Sequence, residues 1–200
     1  INGIAIDASK AGDDTASTSG GAASAISKVA AINAKSGESG VSAQVNDTVV
    51  SGSEMTGLAA NGSVQLNGVT VNLSTTSSTV QTRAGIVTAL NAVSAQTGVT
   101  AIDTESDAGG VQLVAEDGRN ITISFTTVTA GTTGIAATGT YEGGYTLVAD
   151  ADVSEIVIQG GNGTGNGDLA NAGLVAGTYL AGQAASVSEV QAKSDSAATF

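Results

Sequence analysis

The chain has 200 residues, 41% of them apolar and only 2% aromatic, so it can form one large or two small domains around an aliphatic core. Its 18 acidic and 6 basic residues give a net charge of −12, which excludes the basic surface that binding to nucleic acid or to an anionic membrane requires. Cysteine and histidine are absent, which excludes disulfides, Ser-His-Asp and Cys-His catalysis, and imidazole or thiolate metal sites.

The first predicted element is half of a tight hairpin. Ile1, Ile4 and Ile6 surround the dipeptide Asn2-Gly3, and Asn-Gly favours the type I′ turn of two-residue hairpins. Ile1 would already lie inside this hairpin, so its first strand is missing or supplied from outside. We therefore expect the chain to be a fragment of a longer polypeptide.

A helix and then a strand follow this turn. One face of the helix carries four apolar residues, namely Ala22, Ile26, Val29 and Ala30. Ser19 or Ser24 could cap the start of the helix, and Gly40 suits the left-handed residue just past its end. The apolar face is narrow, which favours packing against one side of a sheet. The chain then returns as a strand over Val41–Val45.

The same order of elements recurs from residue 64. Apolar residues alternate around Asn67-Gly68 and predict a second hairpin, namely Val64, Leu66, Val69 and Val71. The helix that follows is capped by Ser78 or Thr79, is followed by Gly98, and has an apolar face made by Ile86, Leu90 and Val93. A strand over Val99–Ile102 comes next. Residues 31–43 align without gaps with residues 89–101, so the chain contains an internal repeat.

A further hairpin is predicted after the second copy of the repeat. Val111–Val114 and Ile121–Phe125 are two β-rich runs joined by Asp117-Gly118, and Asp-Gly is a strong hairpin signal. The first copy has no such Asp-Gly-Arg sequence, because residues 46–60 stand in its place. The strand pairing of the first copy therefore stays open.

The last third of the chain predicts less regular structure. Residues 129–140 are rich in Thr, Gly and Ala and predict a loop. Tyr145–Val148 and Ile156–Ile158 predict another strand pair. Gly160–Asp168 predicts a glycine-rich loop, residues 169–190 are small and weakly apolar, and the tail from Gln191 is polar.

These elements predict an α+β fold made of two related units, each with a hairpin, a short helix and strands, and of a C-terminal β segment. We expect residues 1–60 to form the first repeat unit as a partly separate lobe, and residues 61–140 to form the second repeat unit. Residues 141–200 are expected to form the C-terminal β segment, which returns towards the missing remainder of the polypeptide.

Residues that could support catalysis or hold a ligand are few. Carboxylate pairs occur at Asp13-Asp14 and at Asp150 with Asp152, but glycosidase chemistry needs two carboxyls that face each other across a cleft. Gly160–Asp168 lacks the Gly-Lys-Ser/Thr of a phosphate loop and contains one degenerate copy of a calcium-binding repeat. We interpret all three as solvated loops, and we predict no catalytic, cofactor-binding or metal-binding residue.

Surface chemistry is equally unspecific in the sequence. The acidic tip Glu116-Asp117 beside Arg119 is interpreted as a solvated turn, with a subunit contact as the alternative. No apolar run approaches the roughly 20 residues that span a bilayer. The number of Asn-x-Ser/Thr sequences is near chance for this composition, and they matter only in a host with N-glycosylation. There are five, at Asn46, Asn61, Asn72, Asn120 and Asn162.

The order of these motifs resembles the repeated motif in the variable region of bacterial flagellins, which some hook-associated proteins share. Both copies match it, from the Asn-Gly turn to the helix end, and the second copy matches through Asp117–Ile123. The segments 145–148, 156–160 and 184–188 are similar to the return path of such flagellins. The resemblance covers about residues 1–190. The terminal helices that polymerise flagellin are not in this sequence, which fits a fragment of the outer region.

The resemblance implies a structural role rather than an enzyme. It implies an extracellular domain of the bacterial flagellar filament that is exported unfolded, contributes to motility and gives the filament its surface and antigenicity. Its partners would be neighbouring subunits of the homopolymer, joined through the missing terminal helices, together with host receptors or antibodies and O-glycans, and neither nucleic acid nor membrane. The alternatives are a domain of a hook-associated or filament-cap protein and a secreted adhesin or binding module.

Overall fold

The computed structural model describes residues 1–160 and 169–181. These residues form an α+β fold, as the sequence predicts, in which all strand pairs are antiparallel. Of the predicted Gly160–Asp168 loop only Gly160 is described, and the polar tail from Gln191 lies outside the described residues.

Short helices and strands alternate along the chain. The described helices are α1 (Ala25–Asn33), α2 (Ser36–Ser39), α3 (Thr79–Asn91), α4 (Ser94–Thr97), α5 (Ala130–Thr133) and α6 (Leu169–Ala172). The strands are β1 (Val41–Val45), β2 (Thr48–Val50), β3 (Ala60–Leu66), β4 (Val69–Thr75), β5 (Thr100–Asp103), β6 (Val111–Ala115), β7 (Ile121–Thr126), β8 (Gly139–Tyr141), β9 (Tyr145–Ala149), β10 (Glu155–Ile158) and β11 (Gly177–Leu180). Two 3₁₀ turns, Ala11–Asp13 and Gly21–Ala23, precede α1.

Residues 48–141 form what we call the continuous unit. Its strands make one sheet in the order β4-β3-β7-β8 and another in the order β2-β6-β5. Alternate residues of both sheets point to one aliphatic core, to which α3 contributes Ile86 and Leu90. The side chains of Val64 and Leu66 on β3 lie in the centre of this core, each 1% exposed.

Residues 1–45 and the described residues from 145 onward form what we call the split unit. Here β1 pairs with β9 from Val41↔Ala149 to Val45↔Tyr145, and β10 pairs with β11. Their core is separate from the first one and contains Ile32 of α1 and Ile158 of β10. The open question of strand pairing in the first copy is thus answered: the C-terminal strands complete it, and the continuous unit is inserted between β1 and β9.

The two units share a longer repeat than the sequence analysis identified. β5 and β6 of the continuous unit correspond to β1 and β9, and β7 and β8 correspond to β10 and β11. The sequence Gly-Thr-Tyr forms the start of both β8 and β11. In both, the tyrosine hydroxyl donates to the carbonyl four residues earlier, Tyr141 to Ala137 at 2.9 Å and Tyr179 to Val175 at 3.0 Å.

One predicted hairpin and one predicted strand pair are wrong, although their strands are present. β6 pairs with β2 and β5, whereas β7 pairs with β3 and β8, so the turn at Asp117-Gly118 joins two sheets. β9 and β10, the second predicted pair, likewise bind β1 and β11 instead of each other. In both cases the apolar residues of the two strands meet across the core, and the same alternation would also fit a hairpin.

The predicted helix ends are largely confirmed. The hydroxyl of Ser24 accepts a hydrogen bond from the amide of Ser27 at 3.2 Å, and Ser78 caps α3 in the same way. Gly40 and Gly98 are left-handed, with φ of 68° and 70°, but each follows a separate short helix, α2 or α4.

The apolar face of the first helix was predicted only in part. Val29 is buried as expected, but Ala22 lies exposed in the 3₁₀ turn before the helix, and Ile32 takes a central place in the core. Residues 129–140 were predicted to be a loop and instead contain α5 and β8. A capping box between Thr129 and Thr132 begins α5. Short polar residues can form such a box without an apolar pattern in the sequence.

Strand pairing crosses both predicted domain boundaries. The boundary at residue 60 falls at the start of β3, and the boundary at residue 140 falls within β8. The split unit joins residues 1–45 with residues beyond 144 in one core. That residues 1–60 behave as a partly separate lobe stays a prediction.

Candidate functional site

The two carboxylates of the Asp13-Asp14 pair differ in exposure and in hydrogen bonding. Asp13 is exposed, whereas Asp14 is only 7% exposed and its Oδ1 accepts hydrogen bonds from the amides of Ala16 and Ser17, both at 2.9 Å. Burial raises the pKa of Asp14, but the nearby hydroxyls of Ser17 and Ser24 and these two amides outweigh burial and hold the pKa below its ordinary value. These hydrogen bonds fix the turn over residues 14–17. Because Asp14 is buried and Asp13 is exposed, the two side chains do not form a pair of carboxyls that face each other.

The second carboxylate pair lies in the turn between β9 and β10. Asp150 and Asp152 are both exposed, and the amide of Asp150 donates to the carbonyl of Gly40 at 2.9 Å. The turn is thus fixed through backbone atoms, and both side chains are in solvent as predicted. Within residues 1–160 and 169–181, no group of three or more acidic side chains is placed to hold a metal ion.

The predicted tip at Glu116-Asp117 is exposed at both residues, as a solvated turn requires. The guanidinium of Arg119 also makes a bidentate contact with the Asp117 carboxylate, with Nη2 to Oδ2 at 2.6 Å and Nε to Oδ1 at 3.0 Å. Arg119 also donates to the carbonyl of Thr97 at 3.3 Å, at the end of α4. The hydrogen bond from Arg119 lowers the pKa of Asp117. The pair therefore ties the turn to α4.

An ion cluster around a buried arginine of the continuous unit was missed in the sequence. Arg83 on α3 is 3% exposed, and its Nε donates to Asp103 at 2.7 Å while its Nη1 contacts Asp107. Thr79 donates to the other oxygen of Asp107 at 3.0 Å. This cluster fastens the 104–110 loop to α3. One signal was available: Arg83 is the only basic residue between Lys35 and Arg119.

The five Asn-x-Ser/Thr sequences differ sharply in accessibility. Asn61 and Asn72 are exposed on β3 and β4, and Asn46 is half-buried with its Oδ1 bonded to Thr146. Asn120 is fully buried, and its amide donates to the carbonyls of Ser19 and Gly20. Asn120 thus joins the two units, and among the four described sites the two on the strands are the most accessible. Asn162 lies outside the described residues.

The outer face of the four-stranded sheet is polar but uncharged. Its side chains alternate with the core residues of the same strands, and none of them is buried. Every position on this face carries a hydroxyl or a carboxamide: Asn61, Ser63, Gln65, Thr70, Asn72, Ser74, Thr122, Ser124, Thr126 and Thr140. The net charge of the chain is therefore carried elsewhere on the surface.

A cavity of about 420 Å³ opens on the split unit. Its walls are mostly aliphatic, with the ring of Tyr145 on one side and a few polar groups at the rim: Ile1, Ile6, Asp7, Ala8, Ser9, Lys28, Ala31, Ile32, Tyr145, Ile158, Gln159, Leu169, Asn171, Ala172 and Leu174. We call this cavity the open groove.

Two polar side chains of the open groove, Tyr145 and Lys28, are already engaged in the fold. The hydroxyl of Tyr145 donates to the carbonyl of Ala172 at 2.8 Å, and burial raises its pKa. The ammonium of Lys28 lies 3.5 Å from the carboxylate of Glu142. With these groups engaged, the groove is suited to hold apolar side chains.

No described helix has the length and apolar character needed to cross a membrane. A comparison with protein-family models and with curated proteins finds no match for this chain.

Proposed function

We propose that this chain is the surface-exposed outer domain of a bacterial flagellar filament subunit, and that its role is structural. The observation that carries the proposal is the place of the resembling motif in the fold. In both units the Asn-Gly turn, the helix end and the left-handed glycine make corresponding hydrogen bonds. The residues that carry the resemblance are therefore those that define the repeated unit.

The two helix-end asparagines illustrate this correspondence. Asn33 accepts from the amide of Ala43 at 2.7 Å and donates to its carbonyl at 3.0 Å. Asn91 does the same with Ala101, at 2.8 and 2.9 Å. Chance similarity in a chain rich in Ala, Ser and Gly would not reproduce such a bidentate contact at aligned positions. This supports a common origin of the two units and gives weight to the motif as a whole.

The use of the polar side chains also supports a structural role. Asp14 shapes a turn, Arg83 fastens a loop, and the hydroxyl of Tyr145 holds the end of α6. Groups committed to the fold in this way are poorly placed to move protons for a substrate. The uncharged outer face of the four-stranded sheet and the net charge of −12 suit a domain that must remain soluble beside many copies of itself.

Immunogold electron microscopy of the source cells tests the proposal. Antibody raised against the purified chain is expected to label the whole length of the filaments, and antibody preabsorbed with the chain is the control. Label confined to the filament tip or the hook junction would instead indicate a cap or hook-associated protein. Label on the cell body alone would overturn the proposal in favour of an adhesin.

A further inference from the structure

Among residues 1–160 and 169–181, the split unit shows one strand fewer beside β10 than the continuous unit has beside β7. In the continuous unit, β7 lies between β3 on one edge and β8 on the other. In the split unit, β10 corresponds to β7 and β11 to β8, but among the described residues β10 has no strand on its second edge. No described residue thus fills, in the split unit, the position that β3 fills in the continuous unit.

The turn at the start of the chain already has the geometry of a hairpin. Asn2 and Gly3 have φ of 51° and 78°, close to the 45° and 83° of Asn67 and Gly68. The amino nitrogen of Ile1 donates to the carbonyl of Ile4 at 2.8 Å, and the amide of Ile4 donates back at 2.9 Å. This reciprocal pair closes a two-residue hairpin turn. Ile1 is therefore placed as the last residue of an entering strand.

The open groove lies where the inward side chains of that strand would pack. Three of its wall residues, Ile32, Ile158 and Leu174, correspond to Leu90, Ile123 and Ile135 of the continuous unit. Leu90, Ile123 and Ile135 belong to the core to which β3 contributes Val64 and Leu66. Ile1 and Ile6 of the split unit correspond to Leu66 and Val71 of the continuous unit. Ile1 and Ile6 are only half-buried, whereas Leu66 and Val71 are buried.

We propose that the open groove binds an antiparallel β-strand that enters through Ile1 and has an apolar side chain at every second position. By analogy with β3, this strand pairs with Ile4–Ile6 on one edge and with β10 on the other. The occupant is main chain joined to Ile1, because the turn fixes Ile1 in the register that Leu66 has beside Ile123. The proposal concerns how the fold is completed and does not rest on the proposed function.

The chain supplies its own probe for this strand. We would place residues 60–65, Ala-Asn-Gly-Ser-Val-Gln, directly before Ile1, so that Ile1 takes the place of Leu66. One matched control has Asp at the inward Val position of the extension, and a second has Asp at its outward Ser position. All four proteins, including the unextended chain, are released from a tag at the same cleavage site.

The extension and the outward control are expected to raise the thermal midpoint by about 5 °C or more, whereas the inward control is not. Hydrogen exchange at the Ile6 amide is expected to slow by at least about tenfold in the extended chain, because its counterpart Val71 pairs with Val64. The proposal is overturned if the inward control is stabilised as much as the extension, or if the midpoint and the exchange of Ile6 stay unchanged.

Discussion

Asn2 and Asn67 make the same three hydrogen bonds in two distant parts of the chain. The side-chain amide donates to the carbonyl of Ser39 or Thr97 at 2.9 Å in both cases. The side-chain oxygen accepts from the amide of Val157 at 2.7 Å or Thr122 at 2.8 Å, and the backbone amide donates to the same residue. Each asparagine thus joins its turn to a strand and to a helix end.

Loss of the Asn67 side chain should destabilise the protein strongly. Asn67→Ala leaves the amide of Thr122 without its side-chain acceptor and removes one of the two donors to the carbonyl of Thr97, the other being Arg119, which together cost about 2–4 kcal/mol. Urea unfolding measures the free energy of unfolding, with Asn61→Ala as the exposed control at about 0.5 kcal/mol or less. Equal losses for the two variants would contradict the role of Asn67.

Gly118 is expected to tolerate no side chain, because it lies where the two units meet. It has φ of +70°, and a Cβ atom there would come within 1.9 Å of Val45 and 2.7 Å of the Asn46 carbonyl. Gly68 also has a positive φ, +83°, but nothing lies within 4 Å of its Cβ position.

Gly68→Ala should therefore cost about 1 kcal/mol from backbone strain alone, whereas Gly118→Ala should cost at least about 2 kcal/mol more because packing at the junction must shift. Calorimetry of both variants measures the difference. A smaller loss for Gly118→Ala than for Gly68→Ala would mean that the junction between the units is loose.

Stability should fall in acid in part through Asp107. The hydrogen bond from Thr79 and the contact with Arg83 hold the pKa of Asp107 below its ordinary value. At pH values between the folded and the unfolded pKa of Asp107, the unfolded chain therefore binds more protons than the folded chain. The stability that Asp107 contributes is complete above the unfolded pKa of about 3.9 and is lost as the pH falls through the folded pKa.

Asp107→Asn is therefore expected to be less stable than the wild type at pH 7, with the difference shrinking as the pH falls below about 4. Urea titrations from pH 7 to the acid limit of folding measure this, with Asp150→Asn as an exposed control expected to match the wild type at neutral pH within about 0.5 kcal/mol. A difference that grows in acid would contradict the assignment.

Local features of the fold could be predicted from the sequence, but the partners of its strands could not. Asn67-Gly68 predicts the β3–β4 hairpin because both central residues need a positive φ, and Ser24 and Ser78 predict the helix starts through their own hydroxyls. These features depend on a few neighbouring residues. Asp117-Gly118 gives an equally strong local signal, yet it joins two sheets, because packing across the core decides which strands pair.

The groove and the ion cluster depend on contacts that are distant in sequence. Tyr145 and Ile32 line one cavity only because the chain returns to β1 after forming the whole continuous unit. Arg83 meets Asp103 and Asp107 across the space between α3 and the 104–110 loop. Neither spacing matches a recurring motif, so the sequence does not indicate which residues meet.

Helical reconstruction by electron cryomicroscopy of filaments sheared from the source cells tests the central claim most directly. We expect the continuous and split units at the outer radius of the filament, with a strand beside β10 that leads through Ile1 towards the filament core. Filaments whose outer density cannot contain these two units, or whose subunits do not yield this sequence by mass spectrometry, would contradict it.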